Sequence, residues 1–188
     1  MSRLRRLLPG RRVRRTVAVL TALLALVVGS GIPVYVRPQI DELRRADALL
    51  ILGGYDYGRY VLGLQLAEEG WAPNVVVSNP NGRWDRWLTN YCAAPHPTFT
   101  LHCFVPDPKT TSGESREFGA LAAQNGWRTA IVVTFRPHVS RARYIVGQCF
   151  HGDLIMVASP PDPSLARWVW EYGYQTAGYI KAVLQPAC

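Results

Sequence analysis

No acidic residue precedes Asp41, and residues 16–36 carry no charge at all. The first absence confines the chain's basicity to one place. Seven of its 21 basic residues precede Thr16, and the other 14 stand against 13 acids, so the net charge of +8 belongs mostly to a tail. A nucleic-acid-binding domain carries its charge on the fold, so this balance argues against that class of partner. Several chemistry-bearing motifs are missing too. The loop GGYDYGR matches neither GxGxxG nor the Walker pattern, which sets aside the usual dinucleotide and P-loop sites. No D-x-D or H-x-x-E-H marks a metal centre, and no G-x-S-x-G marks a serine hydrolase. No internal repeat occurs, and the arginine tail is the only low-complexity tract. Charged residues make up 18% and hydrophobic residues 48% of the chain, a balance that supports a folded core rather than disorder.

The uncharged run, TVAVLTALLALVVGSGIPVYV, is about long enough to cross a ~30 Å hydrocarbon layer as a helix. Arginines before it, and the mixed Arg37, Asp41, Glu42, Arg44 and Arg45 after it, orient the N-terminus toward the cytoplasm. The organisation expected is a cytoplasmic Arg-rich tail (1–15), a transmembrane helix (16–36), a linker (37–46) and an extracytoplasmic domain (47–188) held at the cell membrane. A cleaved signal peptide is the alternative, with apolar residues Val17–Val28 and small residues Gly29, Ser30 and Gly31 near the cut. Arg11-Arg12 also resembles a twin-arginine signal. Both readings put the domain across the membrane. The four cysteines fit that compartment, since an even count under oxidising conditions reads as disulfides. Cys92–Cys103 would close a short loop and Cys149–Cys188 would tie residue 188 to the body, although three pairings are formally possible. A zinc site from Cys92, His96, His102 and Cys103 is the other use of two of them, on a spacing that fits no standard pattern.

Beyond the span, β-rich runs alternate with helical spacing. Asp47 to Gly53 reads as a central parallel strand. A helix follows from Arg59 to Glu69, with Tyr60, Val61, Leu64, Leu66 and Ala67 at helical spacing and Gly70 as its stop. Asn74 to Val77 is a second strand, ending at Ser78. The segment from Pro80 to His102 has no period. With Trp84, Trp87 and Tyr91 it reads as a disulfide-pinned loop over the mouth of the sheet, either a lid or a surface packed on the domain. Strands over Thr100–Val105, Arg128–Thr134 and Asp153–Ala158 alternate with helices over Gly113–Asn125, Val139–Cys149 and Ser164–Leu184. The last helix carries Trp168, Trp170, Tyr172, Tyr174 and Tyr179, an aromatic stripe that reads as core. The sum is an α/β, three-layer Rossmann-like domain with a mostly parallel sheet of ~5 strands behind one N-terminal transmembrane helix.

Polar residues recur where strands end: Gly53-Gly54, Ser78-Asn79, Thr134 and Ser159. Open α/β sheets bind ligands beyond the carboxyl ends of their strands. The densest such stretch is AIVVTFRPHVSRAR (130–143), where Thr134, Arg136, His138, Ser140 and Arg141 gather as a strand gives way to a helix. A helix start, an imidazole and two arginines suit an anion, and a phosphate best. The competing reading leaves Arg136 and Arg141 solvated and His138 capping the turn. Arg59 would face the same mouth. Thr111 and Glu114 fit a capping box, S/T-x-x-E, whose hydroxyl can also line an anion site. His138, whose ordinary pKa lies near neutrality, is the candidate general acid or base, with Glu114 to orient it or share its proton. An enzyme and a non-catalytic binding module both remain open, and no cofactor or metal is identified.

The motifs DALLILGG, RYVLGLQLAEEGWAPNVVVS, TTSGES and VVTFRPHVSRAR together resemble the YdcF/SanA-like bacterial envelope proteins, which share domain of unknown function 218. The resemblance covers about Asp47 to Ala158, and VVTFRPHVSRAR, similar to the family's V-T-x-x-x-H-x-x-R-A signature, is its most specific part. It implies a Rossmann-like fold behind one membrane helix and a link to envelope integrity and to cell-wall or lipid-carrier metabolism. Position by position it implies roles for Gly53, Gly54, Arg59, Ser78, Thr111, Glu114, Thr134, His138 and Arg141. The ligand expected is an anionic, phosphorylated small molecule or lipid. The chain departs from the family at Asn79-Pro80, where glycines are common, and in the shortened segment that ends in TTSGES.

Overall fold

The computed structural model describes residues 10–160 and 162–188. Arg3, Arg5 and Arg6 of the basic tail lie outside the described residues. The first helix, α1 (Arg11–Gly31), continues into a single π-turn at Ile32–Val36. It therefore begins inside the basic segment rather than after it. These 26 residues are long and apolar enough to cross a membrane. Residues 37–46 do not hang free, because Asp41 accepts hydrogen bonds from Met156 N (2.8 Å) and Arg143 Nη2 (2.6 Å).

Five strands follow: β1 (Ala48–Ile51), β2 (Asn74–Ser78), β3 (Thr100–Phe104), β4 (Thr129–Phe135) and β5 (Asp153–Ser159). They lie in the order β3-β2-β1-β4-β5, and every pairing is parallel. Parallel sheets need crossovers and cover on both faces. The strands supply this by alternation. Leu49, Ile51, Val75, Val77, Ile131 and Val133 face one layer, while Ala48, Leu50, Val76, Ala130, Val132 and Met156 face the other. Helix α2 (Gly58–Glu68) and Leu88 of α3 (Arg86–Ala93) cover the first face, through Tyr60, Leu64 and Ala67. Helices α4 (Thr111–Asn125) and α5 (Val139–Cys149) cover the second, through Phe118, Ala122, Ala142 and Val146. The last helix, α6 (Leu165–Leu184), packs on α5 and on the turn at Arg136–His138.

Several expectations change. The Pro80–His102 segment holds a short helix, α3, because the Asp85 carboxylate accepts the Leu88 N–H at 3.0 Å and caps it. Neither Trp84 nor Trp87 lines either of the two cavities described below. Trp87 packs on Tyr57 and Tyr91 instead, and Trp84 is 78% exposed. The cap of α4 is Thr110, whose hydroxyl accepts from Gly113 N at 3.4 Å, so Thr111 and Glu114 do not form the expected box. The α6 aromatics are not core, since Trp170 and Tyr174 are 60% and 54% exposed. The cysteines pair as Cys92–Cys103 and Cys149–Cys188. That leaves no thiolate for zinc, and His96 instead stacks on Phe99.

Candidate functional site

Strands β1 and β4 are neighbours, yet the chain leaves β1 toward β2 and leaves β4 toward β5. The two outgoing loops diverge, and a crevice opens between them, where open α/β sheets place ligands. A cavity of ≈ 390 Å³ occupies it, bordered by Gly53-Gly54 after β1, Arg59, Thr111, His138 and Arg141. Residues from four separate stretches of chain thus meet at one rim.

The glycine turn is built by close approach. A Cβ on Gly53 would lie 2.5 Å from Pro80 Cδ and 3.0 Å from Glu114 Oε1. A Cβ on Gly54 would lie 2.8–2.9 Å from the Arg59 guanidinium. Glu114 accepts the Gly53 N–H at 2.6 Å. Burial pushes its carboxyl above the usual range, opposed by Ser78, the Gly53 N–H and the charges of Arg59 and Arg141. The Ser78 hydroxyl lies near enough to exert that effect but meets no partner at hydrogen-bond geometry. Glu114 therefore fixes the glycine turn, not His138. Arg59 also acts mainly as a brace. It is 2% exposed and donates to the carbonyls of Gly53 (2.7 Å) and Asp56 (3.2 Å), with its guanidinium 5.0 Å from the Phe135 ring centre.

His138 is buried between two threonines. Its Nδ1 lies 2.9 Å from Thr134 Oγ1 and its Nε2 lies 3.4 Å from Thr111 Oγ1. Burial, then the charges of Arg141 and Arg59, holds its pKa well below the ordinary value, so the ring is neutral at pH 7. The orienting partner is Thr134, and Thr111, whose hydroxyl faces Nε2, lines the cavity together with His138. Arg141 is tethered through Nε alone, to Gln175 Oε1 at 2.8 Å. Among the described residues, its two terminal nitrogens have no hydrogen-bond partner. Arg136, by contrast, pairs outward with Asp162 (2.5 Å).

The outer wall was not among the site residues expected from the sequence. Helix α6 closes the crevice with Trp170 and Tyr174. It is locked there by Glu171, which is fully buried and accepts from Arg167 Nε (2.7 Å), Gln175 Nε2 (2.8 Å) and Tyr55 Oη (3.1 Å). Gln175 then carries the tether on to Arg141. Two polar residues four apart on the face of an apolar helix were the available signal. A second cavity of ≈ 500 Å³ adjoins the first across Thr111, Arg141 and Tyr174, with Arg116 and Lys181 on its far side. The structure brings Gly53, Gly54, Arg59, Thr111, His138 and Arg141 to the rim, sets Thr134 beneath His138, and leaves Ser78 buried under the glycine turn. Set beside protein-family models, curated proteins and solved structures, the chain matches none of them.

Proposed function

We propose that this chain is a YdcF/SanA-like envelope protein, anchored by α1 with its domain outside the cytoplasm, that binds a phosphorylated envelope metabolite in the β1/β4 crevice. The observation that carries this reading is the state of Arg141. A guanidinium held by one nitrogen, with its other donors unpaired at a cavity, is set for bidentate contact with a phosphate. The two disulfides fit an oxidising compartment. The apolar α1 with arginines at its start fits an inward N-terminus.

In this reading His138, neutral at pH 7, accepts a proton from the bound group through the Thr111 hydroxyl, while Thr134 holds the ring. Substrates of this kind would be a lipid-carrier phosphate or a cell-wall precursor. A second reading, a non-catalytic anion-binding module, draws on the engagement of both His138 nitrogens by threonines, which suits a structural histidine as well.

The full chain in detergent, challenged with phosphorylated lipids and nucleotides, separates them. Arg141→Ala is expected to weaken binding by about 10–100-fold, the scale of a charge-assisted hydrogen-bonded contact worth ~1.5–3 kcal/mol. Turnover lost in His138→Ala supports the enzyme, and binding without turnover supports the module. Anion affinity unchanged in Arg141→Ala defeats both.

A further inference from the structure

We infer that the exposed apolar face of α6 seats on the outer leaflet of the membrane, with the crevice on the other side of that helix. The inference rests on α1 crossing the bilayer, as proposed above.

The first observation is the length of the span left free. Residues 11–30 are exposed throughout, but Gly31 and Tyr35 are buried in the domain. The Val34 carbonyl accepts from Ser140 Oγ at 2.7 Å, and Tyr35 Oη lies 2.9 Å from Thr176 Oγ1. Between the arginines and this docked end, Thr16 to Ser30 spans only ~22 Å at ~1.5 Å per residue, against a hydrocarbon layer of ~30 Å. Such a mismatch is relieved by thinning the bilayer or by bringing other apolar surface down to it.

The second observation is where that surface lies. Tyr172 of α6 packs on Gly31, and its hydroxyl reaches the Val28 carbonyl at 3.3 Å, within the apolar run. The contact continues outward through Tyr35, which packs on Tyr172 and Thr176. Had α6 run along α1, residues such as Val19, Leu23 and Val27 would be covered, yet they are 53–62% exposed. The two helices part below that contact, which leaves the first turns of α6 beside the outer end of the span rather than packed along it.

The third is the chemistry of the exposed face. Leu165, Val169, Ile180 and Val183 form one stripe on α6, exposed by 87%, 79%, 56% and 55%. The charged residues of the helix, Arg167, Glu171 and Lys181, all project elsewhere at helical spacing. With its polar side turned into the domain through Glu171, α6 leaves this apolar stripe as the surface open to a membrane. Tyr172, Tyr179 and Trp168 flank the stripe, the residue types that settle at headgroup depth. Trp170 and Tyr174, which border the cavity, project from the opposite side of the same helix.

The test is photocrosslinking in the full chain reconstituted in phosphatidylglycerol–phosphatidylethanolamine vesicles. The photoreactive residue p-benzoylphenylalanine is placed singly at Val169, Leu165, Ile180, Leu24 or Val61. All five positions are exposed, so none disturbs the core. Lipid adducts at the three α6 positions comparable with Leu24, and none at Val61 on the far helix α2, are the expected result. Adducts at Leu24 but not on α6 overturn the seating and leave the span standing. Adducts from α6 to a second copy of the chain assign the stripe to self-association instead. The lack of adducts at Leu24 removes the span, and the inference with it.

Discussion

A neutral imidazole set beside two guanidiniums has a signature in pH. As pH falls below the ordinary histidine value of 6.5, the unfolded chain takes up a proton that folded His138 refuses. Stability then falls with falling pH, by up to ~1.4 kcal/mol per unit for one proton. Glu114 has the opposite sign. Its raised folded pKa lets it keep a proton that the unfolded carboxyl loses above 4.5, so acidification in that window favours the fold. His138→Gln isolates the first effect. Its melting temperature is expected to drop less between pH 7 and pH 5 than that of the native chain, and an equal drop would show that this ring is not held neutral. Both His138 and Arg141 were legible in the sequence, because they sit in one stretch just past a strand. Arg59 and Glu114 were visible as residues but not as roles. Their partners, the carbonyl of Gly53 and its N–H, are set by how the loops fold over each other.

At the scale of elements, the parallel strands and the crossover helices follow from apolar runs and helical periods. Even the bounds of α5 match, since Pro137 and Phe150 punctuate it. Helix α3 did not show itself, being eight residues long with its cap inside a proline-rich stretch. Helix α6 was legible in extent but not in orientation. An amphipathic period states that one face is buried, not whether the other meets water or lipid. Its lock is the place to probe it. Glu171→Ala should cost about 1.5–3 kcal/mol in a urea unfolding curve, the scale of losing hydrogen bonds to a buried charge. The same change should weaken anion binding, because Gln175 loses the partner that aims it at Arg141. Stability lost with affinity intact would separate α6 from the site.

At the scale of the whole molecule, the charge asymmetry and the long apolar α1 set a direct expectation under the proposed anchoring. Intact cells treated with protease from outside should lose the domain and keep a fragment from the membrane-embedded segment inward, with the uncut chain resisting alkaline extraction. Protection of the domain until the membrane is breached would reverse the orientation. The sequence showed the apolar helix but not where it docks, because the burial of Tyr35 depends on α6, whose Thr176 lies 141 positions away.

The attachment of α6 at both ends has a kinetic consequence. Near its start, Glu171 binds it to Tyr55 of the first loop. At its end, Ala182 and Ala187 pack on Ile145, and the Cys149–Cys188 bond staples the C-terminal residue to α5. A helix pinned twice cannot swing as a gate. Exchange between crevice and surroundings falls to the swivelling of the exposed Trp170 and Tyr174 rings, whose picosecond-to-nanosecond hops are far faster than any hinged opening.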